Sequence, residues 1–190
     1  GAMTSNIFSG VTEAGAFGYS IHPMYAISST TKSYREMQKC FFTVEGAEEW
    51  GNKLCRFIRL LGNDCVLLST ENKTKYHAAA VFASNLVNGL YGSAVSLLED
   101  CGFEEKQAEQ ALVPLFMGNA SHIAEDGPVT GLTGPIERND TTTVKKHLNV
   151  LDANEKHIYI SVSGAVLALA EQKYPDRDYS EMKKILSGQE

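Results

Sequence analysis

The sequence has no basic cluster. Lys145 and Lys146 are merely adjacent, Lys183 and Lys184 likewise, and the formal net charge over 190 residues is -6. A protein that binds nucleic acid through its backbone gains affinity by setting Lys and Arg on phosphates; that class is excluded. No CxxC spacing occurs. Cys40, Cys55, Cys65 and Cys101 are scattered among apolar neighbours, as in "KCFFTV" and "DCVLLS". The pattern predicts buried, reduced thiols in a cytoplasmic protein, not disulfides or a zinc site. Long apolar runs are also lacking. Ile158 to Ala170 is interrupted by serines and a glycine and falls short of the ~20 residues that cross a bilayer. A soluble protein without a membrane partner is expected. Internal repeats and low-complexity tracts are absent too.

What remains is an ordinary globular composition, 43% apolar and 21% charged, with enough length for one core or one domain and a small annex. Gly1-Ala2-Met3 has the form of a scar left by tag cleavage, with no secretory signal after it. Up to about Ser69 the pattern reads as short strands and one helix. "GYSIHP" is a brief strand closed by proline, and "CFFTVEG" a second ended by Gly46. "AEEWGNKLCRFIRLLG" places Trp50, Leu54, Phe57, Ile58 and Leu61 at helical spacing with Gly62 as the stop. "CVLLS" is a third strand. Strand, helix and strand with short joins predict a right-handed crossover and a parallel pair. Three strands cannot cover both faces of a sheet alone, so residues 1–69 read as the end of a larger α/β sheet.

From residue 70 to 190 the chain reads as helical. Thr70 can cap one long helix through about Asp100, with Ala78, Val81, Phe82, Leu86, Leu90, Val95 and Leu98 on its apolar side and Gly102 as its stop. A helix from Glu104 to about Met117 is shortened by Pro114. "EDGPVTGLTGPIERND" is too rich in glycine and proline for regular structure. Helices are then expected from Asp140 or Thr141 to about Leu151, from about Asn154 to Lys173, and after Ser180.

Several residues carry chemistry. Lys73 and His77 lie four apart and share a helix face. A protonated lysine there can donate to a carbonyl oxygen, and the imidazole can relay the proton. The polar run "TENKTKYH" fits a solvated first turn better, from spacing alone. Helix phase at roughly 100° per residue sets Asn85 on the side of His77. Asn85 and Asn88 interrupt an apolar run, and a buried amide must find partners, across a helix contact or in a site. In "LTGPIERND" a fixed turn projects Thr133, Arg138 and Asp140. Arg138 suits a carboxylate or phosphate, whereas Asp140 fits a helix cap better than catalysis. His22, before Pro23, stands at a strand end, where ligands of α/β sheets gather, although such a histidine is more often structural. His122, Glu125 and Asp126 have ligand spacing, with His147 or His157 available to complete a set, but nothing brings them together, so no metal is assigned.

Four segments, "SGVTEAGAFGYSIHPMYAIS", "KTKYHAAAVFASNLVNGLYGSAVSLLEDCGF", "ALVPLFMGN" and "GLTGPIERNDTTTVKKHLNVL", together resemble a known group from about Ser9 to Ala170. It is the C-terminal half of the Rossmann-like NAD(P)-dependent oxidoreductases of unknown substrate, a helical module of unknown function. Its relatives are pyrroline-carboxylate reductase, ketopantoate reductase and the hydroxyacid dehydrogenases. The resemblance implies a mainly α fold with a small α/β part. A truncated end of a Rossmann-like sheet would precede a helical bundle similar to the C-terminal domain of phosphogluconate dehydrogenase-like proteins, one that forms homodimers and closes the site. It implies that Lys73 and His77 are counterparts of the lysine and polar partner that face the nicotinamide in hydroxyacid dehydrogenases. Asn85 matches an orienting asparagine, and Thr133, Arg138 and Asp140 match a substrate loop.

No G-x-G-x-x-G follows an opening strand, so a pyrophosphate cradle is lacking. NADP or NAD is therefore expected for a full-length parent and not for this chain alone, which would not transfer hydride by itself. The expected function is the substrate-binding and dimerisation part of an oxidoreductase acting on a small metabolite, an acidic one if Arg138 anchors it. The alternative is a non-catalytic dimerisation or ligand-sensing module.

Overall fold

A computed structural model of the chain describes residues 2–26, 37–38 and 40–188; Gly1 of the expected tag remnant lies outside them. The chain forms two compact units, residues 1–91 and 92–190. The architecture is mainly helical with one small sheet, as the sequence predicts.

In the first unit, β1 (Tyr19–Met24), β2 (Phe41–Gly46) and β3 (Cys65–Leu68) form a sheet in that order. β1 is antiparallel to β2, and β2 is parallel to β3. The β2–β3 crossover is α2 (Glu48–Leu60), the helix expected from its periodicity. Glu48 and Glu49 occupy its first turn, where carboxylates complement the free N–H groups. Gly62 follows its C-cap at φ +94°, a left-handed position that glycine adopts without strain. Gly51, Cys55 and Ile58 form its buried face. Cys55 and Ile58, with Val44 and Cys65, make the unit's apolar core, flanked by Tyr19, Phe42, Leu54 and Leu67.

One element has no periodic signal in the sequence, a 3-10 turn at Ser5–Phe8 that runs into α1 (Ser9–Glu13). The predicted helix from Thr70 to Asp100 also differs. A 3-10 turn at Thr70–Asn72 leads into α3 (Lys73–Phe82), and α4 (Asn85–Asp100) starts after a break at Ala83 and Ser84. The cause is local. The Ser84 hydroxyl donates to the Ala80 carbonyl at 2.6 Å, and its N–H turns to Val81 instead of Ala80; serine here competes with the backbone ladder. α4 has no buried residue. Among the described residues, Thr70–Asp100 is the one helical stretch long and apolar enough to cross a membrane, with a window of mean hydropathy 1.3 that is wholly unburied. This corrects the expectation that the chain lacks an apolar run long enough to cross a bilayer.

The second unit is helical. α5 (Glu105–Thr130) runs far past the expected end at Met117 and includes Pro114. Proline removes one hydrogen bond and crowds the preceding turn; that turn, at Gln110 and Ala111, is exposed, so water reaches the freed carbonyl. The true interruption is Gly127, at φ 80° and ψ 168°, before Pro128 opens a last turn. Glu125 and Asp126, expected in a loop, are thus helical. α6 (Thr141–Val150), α7 (Ala153–Lys173) and α8 (Ser180–Ser187) follow close to expectation. Ile136, Val144, Leu167, Ala170, Tyr179, Met182 and Leu186 form the core between the loop after α5 and these three helices.

Candidate functional site

The sheet of the first unit has two unlike faces. Side chains alternate along a strand, and β1 and β2 pair Ser20 with Glu45 and His22 with Thr43. Directly opposed residues share a face, so Ser20, His22, Thr43 and Glu45 form one polar surface. Val44 and Cys65 lie on the other side, under α2. Thr43 and Glu45 are fully buried, which a polar sheet face requires something to compensate.

For Glu45 the compensation comes from the turns and the helix packed on it, whereas the Thr43 hydroxyl is buried without a hydrogen-bond partner among the described residues. Glu45 accepts from the Ser5 N–H at 2.9 Å, the Ser5 hydroxyl at 2.8 Å and the Thr70 hydroxyl at 2.6 Å. Burial alone would raise its pKa; the hydrogen bonds from Thr70 and Ser5, with the charge of Lys73, reverse this and hold it below the ordinary carboxylate value. Lys73 is 0% exposed, the largest fully buried side chain among the described residues, and its Nζ donates to Ser20 Oγ at 3.0 Å. The solvated first turn favoured by the polar sequence context is therefore overturned. Tyr76, three residues on, places its hydroxyl 2.8 Å from His22 Nδ1, the two rings meeting edge-on at 5.7 Å. Two residues of one strand face thus meet two residues of one helix face, Ser20 with Lys73 and His22 with Tyr76. Burial above all, with the charges of Lys73 and His77 among the lesser causes, lowers the pKa of His22 below its ordinary value. His77, on the same helix face, buries its Nδ1 without a partner. A cleft of about 590 Å³ opens beside the Glu45 end, lined by Ser5, Asn6, Gly18, Gly46 and Thr70 among others.

Asn85 does not join this group. It lies beyond the helix break, exposed, with its amide oxygen accepting from Ser84 at 3.1 Å. Asn88 is exposed as well, so the expectation of buried amides fails for both, and the phase argument fails with the continuous helix it assumed. Glu45 and Tyr76 were missed by sequence reasoning. The signal was present in the strands, where Ser20 and His22 in "YSIHP" and Thr43 and Glu45 in "FTVE" are polar at a period of two.

The loop from Leu132 to Asp140 belongs to the second unit and is fixed from behind. Lys173 bonds the Thr130 and Leu132 carbonyls and pairs with Glu137, while Arg177 and Tyr179 both donate to the Glu137 carbonyl. Its outer side presents Thr133 and Arg138, both exposed. Asp140 caps α6, accepting from the Thr143 N–H at 3.0 Å and hydroxyl at 2.7 Å; these bonds, with Arg138 and Lys146 nearby, lower its pKa despite some desolvation. Among the described residues no three His, Cys, Asp or Glu side chains gather as a metal set. Glu125 instead accepts from the Ser121 hydroxyl at 2.7 Å.

Residues 40–166 match the domain of unknown function DUF2520, and the chain belongs to that family. No curated protein matches it. Among solved structures it is similar to TM1727 from Thermotoga maritima, with a TM-score of 0.74 and 24% identity over 90% of this chain and 67% of that one. It is also similar to the putative NADP oxidoreductase BF3122 from Bacteroides fragilis, with a TM-score of 0.62 and 22% identity over 92% of this chain and 62% of that one. At these identities the likeness is one of fold. The chain spans about two thirds of the first structure's length and less of the second's.

Proposed function

We propose that this chain is the C-terminal, substrate-binding and proton-handling part of a cytoplasmic NAD(P)-dependent oxidoreductase acting on a small carbonyl metabolite. Kinship with pyrroline-carboxylate reductase, ketopantoate reductase and the hydroxyacid dehydrogenases is part of this reading. The observation that carries it is Lys73. An ammonium removed from water costs several kcal/mol unless well compensated, and its one hydrogen bond here is to a serine hydroxyl. The shared fold with a protein described as a putative NADP oxidoreductase points the same way.

The described residues do not fit the cofactor's phosphates. The two turns that lead from a strand into a helix, before α2 and before α3, carry Glu48, Glu49 and Glu71 in the first helical turn. Carboxylates there repel a pyrophosphate that would use the same N–H groups. The nucleotide is accordingly assigned to residues outside those described, and no step is drawn through it. On the substrate side, Lys73 gives a proton to the carbonyl oxygen, His77 resupplies it, and His22 binds the substrate. Arg138 and Thr133, exposed on their own loop in the second unit, are donors suited to an acidic group. Asn85 and Asp140 contribute least, one lying beyond the break and the other committed to its cap.

The helices supply the second element of the reading, a homodimer. α4 buries nothing and α5 buries only Ala108, while Leu86, Leu90, Leu115 and Met117 stay exposed. Apolar helix faces of this kind mark partner surfaces.

The test uses the full-length gene product. NADPH titration and turnover on a panel of 2-oxo acids should give binding and reduction, with turnover reduced by Lys73→Met and by Arg138→Met. Unchanged turnover in both variants discards the site. Absence of NADPH binding favours the non-catalytic ligand-sensing module.

A further inference from the structure

Tyr76 plays no part in the proton steps above, yet it holds the one ring nitrogen of His22 that has a partner. The contact is 2.8 Å long, with the rings edge-on. Two arrangements fit a phenol hydroxyl against an imidazole nitrogen. If Nδ1 carried the hydrogen and donated to the tyrosine oxygen, the phenolic hydrogen would have no acceptor among the described residues. If the phenol donates to a bare Nδ1, one hydrogen is again left over, on Nε2, but the better donor meets the better acceptor, and this pairing is favoured. The second arrangement puts the imidazole hydrogen on Nε2, because neutral imidazole carries one. Nε2 has no hydrogen-bond partner among the described residues and is not among the buried orphan atoms, so its hydrogen is open to a ligand.

We propose that Tyr76 is a positioning residue that locks His22 in the Nε2–H tautomer, making His22 a neutral hydrogen-bond donor to a substrate oxygen and not a base. The assignment of His22 to substrate rests on the function proposed above; the tautomer lock does not. The surroundings act in the same direction. Burial and the nearby charges of Lys73 and His77 disfavour a second proton on the ring, so the donor is held uncharged. Strand geometry sets the face, since His22 pairs across to the buried Thr43 and its side chain leaves the strand on the side where α3 packs. A neutral donor beside a cationic lysine divides the labour at one oxygen. Lys73 can pass a proton to it, and His22 can only support the charge that develops.

Imidazole tautomers are read directly by long-range proton–nitrogen correlation spectra of labelled protein at pH 7. The wild-type chain should show His22 with a bare Nδ1 and a protonated Nε2. Tyr76→Phe keeps the ring contact and removes only the hydroxyl, so it should leave the fold, by circular dichroism, unchanged and give a mixture of tautomers. A wild-type spectrum with hydrogen on Nδ1 overturns the lock whether or not the variant folds. So does a folded variant whose tautomer is unaltered. Turnover of His22→Gln in the full-length product then separates the two ideas. A confirmed lock with turnover unchanged removes His22 from the substrate and overturns that part of the proposal, while the lock stands as a structural device.

Discussion

A lysine buried without a carboxylate at contact distance is easier to explain by use than by stability. Removing one partner of a buried ion pair destabilises, but among the described residues no carboxylate lies at ion-pair distance from Lys73, so Lys73→Met removes a desolvated charge without breaking such a pair. Lys73→Met should therefore leave Tm unchanged or raise it, while turnover of the full-length product falls by about 100-fold or more, the span typical of a lost proton donor. Parallel loss of both in thermal melts and kinetics would mean that Lys73 only holds the fold. Glu45 behaves oppositely. Its pKa lies below the ordinary 4.5 in the folded chain, so its contribution is complete above that value and fades as pH falls through the folded value. Urea unfolding between pH 7 and pH 3 should lose stability on the acid side, and Glu45→Gln should flatten that slope; identical slopes would count against the Ser5 and Thr70 contacts. None of this was legible from "TENKTKYH", because residue type reports polarity and not depth. For Lys73 and His77 spacing alone favoured a solvated turn, and their place in a site was implied by the family resemblance. The partners actually observed, Ser20 for Lys73 and Tyr76 for His22, come from the packing of α3 on the sheet, which a single sequence does not specify.

Helices with strong local signals were legible. α2 carries its apolar spacing and its glycine stop in thirteen consecutive residues, and α7 carries a capping box at its start, with Asp152 and Glu155 exchanging bonds of 2.8 Å. Asp152→Ala should cost about 1 kcal/mol and lower Tm by about 2–4 °C for a chain of this size; an unchanged melt would show that tertiary packing and not the cap holds the end. Where the signal was a breaker, reading failed. Pro114 was expected to shorten α5 and did not, because its freed carbonyl is exposed; the two-residue break after Phe82 was missed because alanine and serine are not strong breakers. Asp140 shows how element and site roles can be told apart. Asparagine caps a helix as well as aspartate does, so Asp140→Asn should keep Tm and leave turnover unaltered. A fall in turnover at constant Tm would show that the carboxylate charge serves beyond α6.

At the scale of the whole molecule the unsolved quantity is what covers α4. A helix whose hydrophobic residues are packed by its own chain needs no partner, but here none of its sixteen residues is buried. Lipid and a protein surface would both accept Leu86 and Leu90. The two differ in what a charge does to them. In a protein–protein contact, Leu90→Glu places a carboxylate against an apolar surface and splits the assembly, while the separated chain remains folded, since Leu90 is exposed and belongs to neither core. Light scattering behind size exclusion should therefore give a dimer for the wild-type chain at tens of micromolar and a monomer for Leu90→Glu, with matching circular dichroism. A wild-type chain that runs as a monomer, and that sediments with phosphatidylcholine vesicles, would assign the helix to a bilayer instead.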